Sequence, residues 1–141
     1  MKLLFLFSLL VSIFGNSPAF GWGKTGHRVV GEVASKHISI KTKAELKKLI
    51  KKEELAHLAN WADFMKSGPK KYNKYRPWHY VNVADGETYF ESKKNPKGDI
   101  VRGMISMEDT LRNKSASVEQ KVEALKFLIH FVGDIHQPLH A

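Results

Sequence analysis

The sequence predicts an all-α protein, on three observations. Apolar residues recur at helical spacing in five segments, the last of these opens with a capping box, and only one short run, Trp78 to Val83 (WHYVNV), favours extended backbone. That leaves little room for a sheet. Thr25 is placed to cap a first helix running to about His37, with Val29, Val30, Val33 and Ala34 as its apolar positions. A lysine-rich amphipathic segment follows, with Leu46, Leu49 and Ile50 on one face. Glu54 to Met65 sets Leu55, Leu58, Ala59 and Ala62 at helical spacing and ends at Gly68-Pro69. Residues 70–77 read as a basic, aromatic loop, Asp85-Gly86 as a turn, and 91–98 as a solvated loop. Ile100 to Leu111 is the fourth helical segment. In the fifth, Ser117 and Gln120 form the capping box, Val122, Leu125, Leu128, Ile129 and Val132 face the core, and Pro138 is the stop.

Ahead of these helices, Lys2 precedes an almost wholly apolar run from Leu3 to Phe14, Pro18 breaks it, and Ala19-Phe20-Gly21 puts small residues where a signal peptidase reads. About a dozen apolar residues is too short for an ordinary membrane span of roughly 20. Residues 1–21 therefore read as a secretory signal, with an uncleaved anchor or a buried N-terminal helix as the alternative. Residues 22–141 read as a single domain that is secreted or periplasmic and keeps no stable membrane anchor. The formal charge of +9 favours polyanions, nucleic acid being the commonest, although solvated lysine-rich surfaces give the same excess. No cysteine is present, which excludes thiolate zinc sites and cysteine nucleophiles. An exported protein without disulfides is held by core packing or by metal ions, and any metal must take His, Asp, Glu or main-chain ligands.

The chain has seven histidines, and their placement narrows the choice. His130 and Asp134 lie four apart on the last helix and so share a face; the pair suits two ligands of one zinc, or a core histidine with a hydrogen-bonded carboxylate. His140 follows just past Pro138, as a ligand or a surface histidine. Asp63 sits between Ala62 and Phe64 on an otherwise apolar helix, where a carboxylate needs a metal, a partner or an exposed helix end. His79 lies inside the WHYVNV run, as a metal ligand or a buried neutral ring. Cleavage after Gly21 would free the α-amino group of Trp22, which forms a five-membered chelate with its own carbonyl five residues before His27; the alternative is a merely packed terminal Trp. An amine with a pKa of about 7.7–8.0 yields its proton to zinc near neutral pH.

WGKTGH at 22–27, LANWAD at 58–63, RPWHYVN at 76–82 and HFVGDIHQPLH at 130–140 together resemble the secreted, zinc-dependent nuclease S-one/P-one family, in the same order over almost all of residues 22–141. The resemblance implies an all-helical zinc-hydrolase fold similar to that of zinc phospholipase C, with three zinc ions. Asp63, His79, His130 and Asp134 would hold one; Trp22, His27 and the bridging Asp134 a second; His140 is the first ligand of the third. The remaining ligands of the third are a His and an Asp four apart on a later helix, so the pattern is incomplete at the C-terminus, with two of three sites complete. His37 and His57 are expected on the surface, and His136 in packing or beside the ligands.

The family chemistry implies in-line attack on a phosphodiester of single-stranded RNA or DNA by a hydroxide generated between two zincs, leaving 5′-phosphorylated products, with 3′-nucleotidase activity alongside. Asp63 would also orient that nucleophile, the catalytic role the resemblance gives it. Tyr80 matches an aromatic on which a base stacks, and Asn82 would bond the base edge where the family often has an acid. The lysines at 66, 70, 71 and 74 with Tyr72 and Tyr75 read either as a backbone track or as a solvated loop. Asn113-Lys114-Ser115 is a glycosylation sequon for a glycosylating source. The alternatives are a phospholipase C-like phosphodiesterase and a truncated fragment that binds zinc or nucleic acid with weak activity or none.

Overall fold

The computed structural model describes residues 23–140; the expected signal at 1–21 and Trp22 lie outside the described residues. Six α-helices and one 3₁₀ helix form, and no strand is present among the described residues. They are α1 (Lys24–His37), α2 (Ile40–Ile50), α3 (Leu55–Leu58), α4 (Trp61–Lys66), the 3₁₀ segment Lys70–His79, α5 (Ile100–Arg112) and α6 (Val118–Ile135). The all-α expectation holds.

α6 is the axis of the molecule. Ser117 accepts from the Gln120 N–H while the Gln120 side chain accepts from the Ser117 N–H, the reciprocal pair the sequence announces. Along its length α6 serves three surroundings. Ala124, Phe127 and Phe131 enter one core with Ile100, Met107, Ala62 and Tyr72, while Leu125 and Ile129 enter a second with Ile50, Leu55, Leu58 and Ala59. Between the two cores His130 and Asp134 are fully buried. A helix buried nearly all round needs partners on every side, and α1, α2, α3, α4, α5 and the 3₁₀ segment supply them.

Several local expectations are corrected. The first helix is capped by the backbone of Gly23, and Thr25 lies inside it. The stop expected at Pro138 does hold, the last helix ending at Ile135 with His136 at the C-cap. The 54–65 stretch is two short helices, because the Ala59 carbonyl turns to accept from the His130 ring, 2.7 Å away, instead of continuing the ladder. The loop expected at 70–77 is a ten-residue 3₁₀ helix. Tyr72, Tyr75 and Trp78 recur every three residues, and in a 3₁₀ helix such positions eclipse on one face. All three lie on the core formed around Phe127, with Tyr75 4.5 Å from the Phe127 ring and 5.0 Å from Trp78. That aromatic stripe carries a 3₁₀ run longer than usual, and it takes Trp78 and His79 out of the extended run expected at 78–83. Only from Tyr80 is the backbone extended, and there it is pinned by the Val81 N–H to the His140 carbonyl (2.9 Å) and by the Ile100 N–H to the Tyr80 carbonyl (3.1 Å).

Val29 and Val33, expected on the packed face of the first helix, are 54% and 50% exposed and line a groove of about 340 Å³ with Val132 and His136. The opposite face carries Gly31, against which α3 lies so closely that a Cβ would stand 2.6 Å from the Leu55 carbonyl oxygen and 2.7 Å from the Ala56 backbone. Both neighbours are backbone and cannot step aside. Gly31→Ala gains up to about 1 kcal/mol of helix propensity, but separating the helices costs more. We expect a net loss of about 1–3 kcal/mol in denaturant unfolding; an equal or higher midpoint would contradict this packing.

Candidate metal centre

Five side chains from four elements converge between the two cores. His27 comes from α1, Asp63 from α4, His79 from the end of the 3₁₀ segment, and His130 and Asp134 from α6. The ligand atoms of His79, His130 and Asp134 lie within 4.8 Å of one another, and so do those of His27, Asp63 and His130. Asp134 is the hub. Its Oδ2 is 2.8 Å from His79 Nδ1 and 3.1 Å from His130 Nε2; its Oδ1 is 3.3 Å from His27 Nε2 and 3.9 Å from His140 Nε2. His130 Nε2 is 3.6 Å from Asp63 Oδ1, and the His27 and His130 rings stack with centroids 4.0 Å apart.

His130 tests whether this cluster suits a cation. Its Nδ1 is 2.7 Å from the Ala59 carbonyl oxygen, so that nitrogen carries a proton and donates. In the neutral ring Nε2 is then an acceptor, yet it faces a second imidazole nitrogen and two carboxylates. Acceptors gathered at about 3 Å repel unless a proton or a metal ion lies between them. A buried backbone carbonyl fixing the far nitrogen is also how a metal-ligating histidine is held in its tautomer. The donor set, imidazole nitrogens and carboxylate oxygens with no sulfur, fits zinc.

The electrostatics agree with this arrangement. Burial opposes ionisation of Asp134, yet the His130, His27 and His79 rings set against its two oxygens outweigh it and hold the carboxyl far below the usual carboxylate range. For His79 burial dominates and pushes the imidazole down, towards the neutral form a metal requires, against the raising effect of Asp134. At Asp63 burial also works against the charge, but the Lys66 ammonium, 2.7 Å away, and the nearby histidines keep it lowered. Asp63 is the most exposed of the five, with a third of its side chain open to solvent.

The remaining expected residues are distributed as follows. Trp22 lies outside the described residues. His140 stands at the rim of the cluster, with Nδ1 buried and lacking a hydrogen bond among the described residues. Tyr80 is 39% exposed and Asn82 exposed, both on the segment leading away from His79. His37 and His57 are on the surface. His136 is exposed rather than packed against the ligands, its Nδ1 donating to the Val132 carbonyl one turn back. Tyr72 and Tyr75 are not a backbone track: Tyr72 is buried with its hydroxyl donating to Glu123, and both rings lie in the aromatic core. Lys71 and Lys74 lie over those rings.

Two supporting positions escape a residue-type reading. The Ala59 carbonyl is a main-chain group, invisible to side-chain motifs. Gly133 leaves room for His27, since a Cβ there would stand 2.4 Å from His27 Nδ1. Its signal was available: a glycine inside an otherwise strong helix, directly before Asp134, marks a close approach.

Comparison with known proteins places the chain in a family. The sequence profile of the family described as S1/P1 Nuclease matches residues 22–141. The chain is 34% identical to Endonuclease 2 of Arabidopsis thaliana over 134 residues, covering 85% of this chain and 45% of that protein. It is 27% identical to Nuclease S1 of Aspergillus oryzae over 130 residues (86% and 44%) and 27% identical to Nuclease P1 of Penicillium citrinum over 128 residues (84% and 47%). It thus spans about half the length of the curated relatives it matches. Because the family profile covers nearly the whole chain, with the converging His and Asp residues inside the match, this protein belongs to the S1/P1 nuclease family.

Proposed function

We propose that this chain is part of an exported zinc-dependent endonuclease that hydrolyses phosphodiester bonds in single-stranded RNA or DNA to 5′-phosphorylated products, with 3′-nucleotidase activity alongside. The observation that supports it most is the crowding of acceptors around Asp134 and His130 Nε2, which a bound cation relieves. His79, His130, Asp63 and Asp134 would hold one zinc, and Asp134 with His27 and the Trp22 terminus a second. Zinc bound there supplies Lewis acidity, lowering the pKa of water and neutralising charge on phosphate oxygens.

The chain's own residues do the rest. Asp134, buried and ionised, shares its two oxygens between the His79/His130 side and the His27 side. Asp63, open to solvent, accepts a hydrogen bond from an arriving water and so orients its lone pair towards the phosphorus. Tyr80, one residue from His79, offers an exposed ring to an unpaired base, and stacking of that kind is worth about 1–3 kcal/mol. The bond from the Val81 N–H to the His140 carbonyl keeps that ring beside the cluster. A second reading, a zinc-binding chain without turnover, draws on the exposed apolar Val29/Val33 face.

Zinc content separates the binding claim from the catalytic one. Chain processed to begin at Trp22 should carry about two tightly held zinc ions by elemental analysis. Asp134→Asn should lose both, because each shares that carboxylate. Gly133→Ala should lose the one on His27, which its new methyl displaces. No zinc in the unaltered chain would overturn the proposal.

Activity is checked by nucleotide release from single strands, from duplex and, as a control, of phosphate ester from phosphatidylcholine vesicles. Single strands should be cleaved in preference, a chelator should abolish release, and Asp134→Asn should reduce it more than roughly a hundredfold. Lipid turnover without nucleotide release would favour the phospholipase-like alternative. Two zincs with no turnover of either would favour the second reading.

A further inference from the structure

The loop at 91–98, solvated as expected, is also the far wall of a cavity of about 240 Å³ whose near wall is Tyr80 and Asn82. Several bonds fix it in place. The Trp78 indole N–H donates to the Lys97 carbonyl, the Gly98 N–H to the Asn95 carbonyl and the Ser92 hydroxyl to the Tyr89 carbonyl. Gly98 takes φ +89° directly against Trp78, where a Cβ would stand 2.4 Å from the indole nitrogen. The wall is therefore built before any ligand arrives.

Its polar groups are sorted by these commitments. The Asp99 carboxylate accepts from the Tyr89 hydroxyl and from the Arg102 N–H. The Lys94 ammonium is held by the Tyr89 carbonyl and by Ser92. Asn95 Oδ1 accepts from the Lys97 N–H, which leaves its NH₂ as the group it can offer. Lys93 is exposed, lines the cavity and brings an ammonium. What this wall presents, beside the exposed Tyr80 ring, is donors. A ligand that fits must be flat, small and rich in acceptors on one edge. At about 240 Å³ the cavity lies below the roughly 300–1,000 Å³ of drug-sized ligands, which suits a single base and not a stretch of strand.

We propose that Lys93 and Asn95 set base preference, selecting a nucleotide whose base presents a keto oxygen beside a ring nitrogen on one edge, guanine O6 and N7 above all, over adenine, which sets an amino group beside N7 on that edge. Ammonium to guanine O6 and N7 is the commonest specific contact to that base. The inference rests on the nuclease reading, in which Tyr80 stacks the base and Asn82 bonds its edge, and adds Lys93 and Asn95 as further readers of that edge.

The full processed chain, zinc-loaded, is titrated by calorimetry with guanosine 5′-monophosphate, adenosine 5′-monophosphate and inorganic phosphate. Guanosine monophosphate should bind about three- to tenfold more tightly than adenosine monophosphate. Lys93→Ala should remove that ratio, Lys93→Arg should keep it, and Lys97→Ala, on the same loop but outside the cavity lining, should leave it unchanged. Melting temperatures should match across the set, since both lysines are exposed. Equal affinity for the two nucleotides, or equal weakening of both in Lys93→Ala, would show a phosphate contact and overturn the proposal. Absence of nucleotide binding by the zinc-loaded chain would also overturn it. Cleavage of single strands followed in parallel tells the two readings apart: cleavage without base discrimination removes this inference alone, whereas a chain that neither binds nor cleaves removes both.

Discussion

A carboxylate on the inner side of α6 sets the terms for the rest of the molecule. Asp134 is almost wholly buried, and an ion placed there must be compensated or the fold loses several kcal/mol. The compensation is distributed: His79 and His130 on one oxygen, His27 and more distantly His140 on the other. These groups come from parts of the chain up to about a hundred residues apart, so satisfying one charge fixes the mutual position of α1, α6 and the 3₁₀ segment. The backbone yields where it must. α4 starts afresh because the Ala59 carbonyl is needed by His130, and Gly133 has no side chain because His27 occupies that space.

Packing and polarity are thus arranged in layers around the same helix. The aromatic core at Phe127 and Phe131 and the aliphatic core at Leu125 and Ile129 close the cluster from either side and exclude water from most of it. Phe131 itself touches the cluster, its ring edge-on to His79 at 5.3 Å between centroids. The opening left is on the side of Asp63 and His140, the two acid and imidazole groups that retain solvent contact. Tyr80 and the 91–98 wall stand beyond His79, so a ligand seated there lies next to the cluster without entering either core.

Most of the helices were legible because their signals are local. Val118–Ile135 announces itself by a capping box and a strong period, and the i, i+4 spacing alone brings His130 and Asp134 to one face. Three features were not legible from local rules. Residues 78–83 look extended by composition, but the spacing of Tyr72, Tyr75 and Trp78 ties the chain into a 3₁₀ helix through a core contact with Phe127, which is long-range. The break at Ala59 answers to a histidine 71 residues away. The 91–98 stretch is the solvated loop its Pro, Gly and Lys content indicates, but its anchoring to the Trp78 indole through the Lys97 carbonyl is not written in that content. In each case the missing information was a partner remote in sequence.

Charge bears on which ligand the cluster favours. The chain carries a formal +9, yet inside the cluster the balance is inverted: two carboxylates, Asp63 and Asp134, face imidazoles, and the ammonium drawn close is that of Lys66, on Asp63. A site of this kind attracts cations locally while the surface around it attracts anions. A polyanion on that surface would be drawn towards the one place where its own charge is unwelcome unless a cation is already seated there. If both bind as proposed, the metal and the polyanion would be coupled with a positive sign. A cation held there by Asp63 and Asp134 would offset the repulsion between Asp63 and an incoming phosphate and would compete with Lys66 for the carboxylate, leaving that ammonium at the mouth of the site for the phosphate.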